Sequence, residues 1–246
     1  MELKDVGKMT IKVSTADGGE FDAHLTLPPG GGKGPGVVMI PEIFGVNEGI
    51  HQCAELFAQQ GYVVLALDIF WRMERNIDVG YGETGYKKAF ALHAAFDYEQ
   101  GIADMGDAVE RLRRMDQCTG KVFVTGYCLG GTMSYLAAAR LNVDAAAGYY
   151  GTRIHNFLDD GPRIDRPLLL HFGRTDSTTP PELLGPILQA IDGNDSVTHY
   201  IYEDTGHAFA NPIRPDTFVP ADADLANART FELFARLSGN SDEDRS

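Results

Sequence analysis

The sequence predicts an α/β fold: a mostly parallel central sheet with helices on both faces and an antiparallel hairpin at the N-terminal edge. Three observations carry this. Two β-rich runs, residues 8–14 and 21–27, flank the turn-forming Asp17-Gly18-Gly19, the pattern of a hairpin. Past residue 35, short apolar runs alternate with stripes of helical period, which is how βαβ units and a parallel sheet read. At 246 residues the chain is long enough for one such domain to bury roughly 70–75% of its unfolded surface.

After the hairpin, a glycine-rich linker is expected over residues 28–35. Buried strands are expected at 37–40, 62–67, 122–125, 145–149, 168–172 and 198–202, each too short for a helix. Ile50, Cys53, Ala54 and Phe57 recur at helical spacing before Gly61, a suitable C-terminal cap, so Cys53 reads as core. Ile102, Met105, Val109 and Leu112 mark a second helix. Residues 222–237 read as a final covering helix with Phe231, Leu233 and Phe234 toward the sheet. One domain is expected over 1–238, followed by a polar tail at 239–246 that should be mobile.

The formal charge of −14, from 35 acidic against 21 basic residues, disfavours nucleic acid or an anionic bilayer as a partner. It fits a salt-rich habitat and an acidic mesophile alike. Three cysteines, Cys53, Cys118 and Cys128, have no regular spacing, so neither a disulfide framework nor a zinc cage is indicated. No stretch reaches the ~18 apolar residues of a membrane span and the N-terminus lacks a leader pattern, so the expected location is the cytoplasm. His24, His51, His93, His155, His171 and His199 form no close metal spacing, and no metal or other cofactor is expected.

The chemistry is concentrated in Gly126-Tyr127-Cys128-Leu129-Gly130-Gly131, between the run at 122–125 and a helical run at 132–140. This is the strand–turn–helix context of a nucleophile elbow, with sulfur in place of a hydroxyl, and it points to the α/β-hydrolase fold. The bend forces the nucleophile into a strained backbone, and Gly126 and Gly130 leave room for strand and helix to meet. At a helix N-terminus the dipole favours thiolate, and the Leu129 N–H can form half of an oxyanion hole. In this fold an acid and then a histidine must follow at the ends of later strands. Asp176 follows the run at 168–172, and His207 follows the run at 198–202.

At these motifs the chain resembles the dienelactone hydrolase family, the carboxymethylenebutenolidases. Pro41-Glu42-Ile43-Phe44-Gly45-Val46-Asn47, Gly148-Tyr149-Tyr150-Gly151, Gly206-His207-Ala208-Phe209-Ala210 and Ala226-Asn227-Ala228-Arg229-Thr230 extend the likeness over most of the chain. The resemblance implies a Cys128/His207/Asp176 triad that cleaves an ester or lactone through a thioester. It also implies that Glu42 helps take the cysteine proton and that the Ile43 N–H completes the oxyanion hole.

Relatives that open dienelactone grip its carboxylate with two arginines. The matching positions here are Gly82 and Asn211, neither of which carries a charge to pair with a carboxylate, so a different small-molecule ester or lactone is expected. Arg72, Arg75 and Arg214 are candidates to bring a cation from another direction, and Asn211 stands as a candidate uncharged contact to the substrate. Tyr86, Phe90, Tyr149 and Tyr150 are candidates to wall the pocket, Tyr86 and Tyr150 foremost. The competing reading keeps the fold without catalysis, as a small-molecule binding module. A C–C or C–halogen hydrolase is a further alternative, though halide cleavage calls for a carboxylate at the elbow. A monomer or weak homo-oligomer is expected.

Overall fold

The computed structural model describes residues 5–239. Strands β1 (Gly7–Ser14) and β2 (Glu20–Leu27) form the hairpin, paired from Gly7 with Leu27 to Ser14 with Glu20. Six more follow: β3 (Gly34–Ile40), β4 (Val63–Leu67), β5 (Cys118–Tyr127), β6 (Ala145–Tyr149), β7 (Leu168–Gly173) and β8 (Val197–Tyr202). The sheet order is β1-β2-β4-β3-β5-β6-β7-β8, antiparallel through β4 and parallel thereafter. Strands β3, β4, β6 and β7 are buried along their whole length, as strands covered on both faces must be.

The helices are α1 (Glu48–Gln59), α2 (Glu83–Ala95), α3 (Tyr98–Arg113), α4 (Leu129–Arg140), α5 (Pro181–Ala190) and α6 (Pro220–Ser238). Gly36 of β3 faces Leu112 of α3, and its partner on β5 is Val122. The next residue, Phe123, therefore points to the other face, where its ring stacks 4.4 Å from Phe234 of α6. Phe231 packs 4.8 Å from Phe57 of α1, so α1 and α6 share that face. Gly61, just past α1, has φ +93, the left-handed backbone expected of its cap position.

The expected linker ends early, because β3 starts at Gly34. A Cβ there would lie 1.8 Å from the Gly61 carbonyl, so this glycine serves a close strand approach. Helices α2 and α5 have no counterpart among the elements read from the sequence. The polar residues 240–246 of the expected tail lie outside the described residues.

Candidate active site

The elbow forms as its glycines require. Cys128 has φ 58 and ψ −110, outside the regions open to most side chains. A Cβ on Gly126 would sit 2.3 Å from the Gly130 carbonyl oxygen, and one on Gly130 would sit 2.3 Å from that of Ile40. Gly131 is equally constrained, with a Cβ falling 2.6 Å from Tyr149 O. The Cys128 N–H donates to Tyr149 O at 3.0 Å, tying the turn to β6. Its Sγ lies 3.9 Å from the Thr152 hydroxyl. Leu129 opens α4, so its N–H has no acceptor within the helix.

Asp176 lies just beyond β7 and His207 in the loop after β8. His207 Nδ1 donates to Asp176 Oδ2 at 2.8 Å. The other oxygen, Oδ1, accepts from both the N–H and the hydroxyl of Thr178 at 2.7 Å, so the carboxylate cannot rotate away. Burial pushes Asp176 toward its neutral form, but the His207 and Thr178 hydrogen bonds prevail and hold it below the usual 3.8. Burial likewise opposes charge on His207. The pull of a thiolate at Cys128 and the hydrogen bond to Asp176 outweigh it, and the imidazole is pushed up to about 10.

Glu42 follows β3 and is 2% exposed. Its Oε2 accepts from Asn211 Nδ2 at 2.9 Å, while Oε1 has no hydrogen-bond partner among the described residues. Burial raises its pKa despite the opposing pull of His207 and Arg214. The Tyr150 hydroxyl is near enough to favour the charged carboxylate, yet makes no well-formed hydrogen bond. Asn211 Nδ2 also reaches the Tyr81 hydroxyl at 3.0 Å, which accepts from Asn47 Nδ2 at 3.0 Å. A chain of neutral groups therefore fixes the buried acid.

Cys128, His207, Glu42 and Ile43 line a cleft of about 620 Å³ at the C-terminal ends of the parallel strands, where open α/β sheets bind ligands. Phe44, Tyr86 and Phe90 form an apolar wall. Arg214 donates to the Tyr86 hydroxyl at 2.7 Å and stacks 5.0 Å from the Tyr81 ring centroid. A second hollow of about 360 Å³ opens near the starts of β7 and β8, beside Tyr200 and Arg229, remote from the sulfur.

The candidate substrate contacts divide. Tyr86, Phe90 and Arg214 line the cleft. Arg72 does not: its guanidinium makes bonds of 2.9 and 2.7 Å to Asp104, pairs with Asp17 and covers Trp71. Arg75 beside it donates to Glu20 O. Tyr150 has φ 39, which turns its ring inward behind His207, and it is wholly buried. Tyr149 is core as well, its hydroxyl bonded to Thr230 and Asn227 of α6. Asn211 holds Glu42 and is itself buried.

Thr178, His93, Arg153 and His155 all line the cleft, and none was given a site role from the sequence. An Asp-x-Thr spacing is a local signal for the first, since a hydroxyl two residues on can bond the carboxylate. Arg153 lies just past the C-terminal end of β6, a position the sheet rule marks for ligands.

The dienelactone hydrolase family model matches residues 21–238. Carboxymethylenebutenolidase of Pseudomonas sp. (strain P51) is 33% identical over 228 residues, 92% of this chain and 94% of that protein. Carboxymethylenebutenolidase 1 of Cupriavidus pinatubonensis is also 33% identical over 228 residues, 92% of this chain and 96% of its own length. In fold, the crystal structure of a candidate dienelactone hydrolase from Klebsiella pneumoniae superposes with TM-score 0.83 at 23% identity, covering 94% of this chain and 99% of that one. A dienelactone hydrolase-like promiscuous phosphotriesterase from metagenomic libraries gives TM-score 0.76 at 19% identity, with 94% and 99% covered. No helix among the described residues is long and apolar enough to cross a membrane. By sequence and by fold, the chain belongs to the dienelactone hydrolase family.

Proposed function

We propose that the protein hydrolyses a small ester or lactone by a Cys128–His207–Asp176 triad, through a thioester, and that its substrate is not dienelactone. The observation that carries this is His207, held at 2.8 Å by Asp176, raised in pKa by the Cys128 sulfur and lining the same cleft as that sulfur. The thiolate attacks the carbonyl carbon, and the Ile43 and Leu129 amides receive the developing oxyanion. His207 protonates the leaving alkoxide and then activates the water that releases the acid, while Asp176 holds the ring's tautomer. Glu42, as the carboxylate held by Asn211 and raised in proton affinity by burial, accepts the Cys128 proton as substrate enters. No cofactor enters the scheme.

The substrate reading rests on the uncharged Gly82 and Asn211, the latter engaged with Glu42. Two lost charge-assisted contacts are worth several kcal/mol, about 1.5–3 each. The wall of Phe44, Tyr86 and Phe90 supports a flat, cyclic or aromatic acyl group. A thioester forms most readily from strained or conjugated substrates with good leaving groups. The test is a screen of lactones, enol lactones and aryl esters with wild type beside Cys128→Ala. Turnover lost with the sulfur is expected. Full turnover in the variant would remove Cys128 as nucleophile, and no turnover in wild type would favour the binding-module reading.

A further inference from the structure

The residues between β6 and the buried Ile154 are pinned to the elbow. The Thr152 N–H donates to Cys128 O at 3.2 Å, and the Thr132 hydroxyl donates to Thr152 O. Arg153 then takes φ 61 and ψ 12, left-handed backbone that persists in a residue with a side chain only where its surroundings enforce it. Its Nη1 donates to the His93 carbonyl at 3.0 Å. The residue thereby joins the cleft lining next to the segment that carries Thr152 against the sulfur.

Its charge has no answer. The chain has 35 acids against 21 bases, and Arg72, Arg113, Arg140 and Arg174 each hold a carboxylate. Arg153 forms no ion pair among the described residues, although Glu42, Asp204 and Asp216 line the same cleft. Burial, and then the Arg153 charge itself, push His93 down to about 4, so that ring adds no competing cation at neutral pH. His155, two residues on, also lines the cleft, and its buried Nδ1 has no partner among the described residues. Arg214 docks on Tyr86, seven residues from His93 along α2, which separates the two docking points by about 10 Å.

We propose that Arg153 anchors a carboxylate carried by the substrate, so that the protein prefers anionic over neutral esters. The anchor deepens the proposed hydrolase reading and depends on it. The preference should be about 10- to 100-fold in kcat/KM, the worth of a hydrogen bond to a charged group.

The test compares 4-nitrophenyl hemiglutarate with 4-nitrophenyl valerate, and 4-carboxyphenyl acetate with phenyl acetate, in wild type, Arg153→Met, Arg153→Lys and Arg214→Met. Each ratio is measured on one preparation, which cancels differences in folded fraction. Wild type should favour the anionic ester in one pair, Arg153→Met should bring that ratio to about one, and Arg153→Lys should restore part of it. The affected pair tells whether the carboxylate sits on the acyl or the leaving half. The assignment is overturned if wild type shows no preference, if Arg153→Met keeps it, or if only Arg214→Met abolishes it. Cys128→Ala is run alongside on the valerate ester. Undiminished turnover there defeats the hydrolase mechanism, whereas Cys128-dependent turnover with an unmoved ratio defeats only the anchor.

Discussion

The two sides of the cleft are held in place by different means. At the reacting side, backbone geometry leaves little freedom: Cys128 is bent by three glycines, and Asp176 and His207 emerge from the ends of adjacent strands and lock together at 2.8 Å. At the binding side, side chains hold one another. Tyr86 leans on Phe44 with centroids 5.0 Å apart, Arg214 bonds Tyr86, and Phe90 stands 58% exposed at the mouth. The first arrangement fixes one chemistry, and the second can be re-cut for new substrates without disturbing it.

If that division is right, the largest effect belongs to the reacting side. Asp176→Asn should lower kcat by roughly 10³- to 10⁴-fold with a much smaller change in KM, because the carboxylate orients His207 without touching substrate. Steady-state kinetics on an aryl ester that wild type turns over will show it. A comparable rise in KM would mean that Asp176 also shapes the binding wall.

Cys128→Ala should move the His207 titration down from about 10 toward its ordinary 6.5, since the sulfur's charge is the largest influence raising it. The direction follows from removing a negative neighbour: the imidazolium becomes easier to deprotonate. Carbon–proton NMR of the ring across pH 5–11 reads the midpoint. An unmoved midpoint would uncouple the ring from the sulfur.

The elbow was legible because its steric rule is local. Gly126 and Gly130 flank the cysteine at fixed distance, and the strand before and helix after it are visible as apolar periodicity. The acid and histidine were legible for the same reason, as chain order and strand ends decide them. The binding side was not. Nothing local distinguishes Arg72 from Arg214: the first is claimed by Asp104, 32 residues away, and the second by Tyr86, 128 residues away. Tyr150 misled because the chain takes a positive φ there, just past β6, and the ring is wholly buried against His207 and Phe209. In the fold, the start of β3 was hidden because Gly34 looks like linker and is a packing residue.

Gly130→Ala should destabilise the whole domain, because its Cβ would collide with the Ile40 carbonyl and with the strand–helix junction behind it. The cost is about 1–3 kcal/mol, and each kcal/mol lowers Tm by about 2–4 °C at this chain length. Calorimetry measures it, and an unchanged Tm would show that the junction has slack. Tyr86→Phe removes only the hydrogen bond to Arg214, so its effect should be the smallest, about 2- to 10-fold in KM with kcat nearly kept. A collapse of kcat in that variant would erase the distinction between the two sides.

The central claim is that the substrate's acyl group passes through the Cys128 sulfur. Rapid acid quench of wild type with 4-nitrophenyl acetate, followed by peptide mass spectrometry, reads this directly. An acetyl adduct is expected on the peptide holding Cys128, building within the first turnover and decaying as ester is exhausted. An adduct confined to another residue, or steady release of nitrophenol with no adduct and no loss of rate in Cys128→Ala, would contradict it.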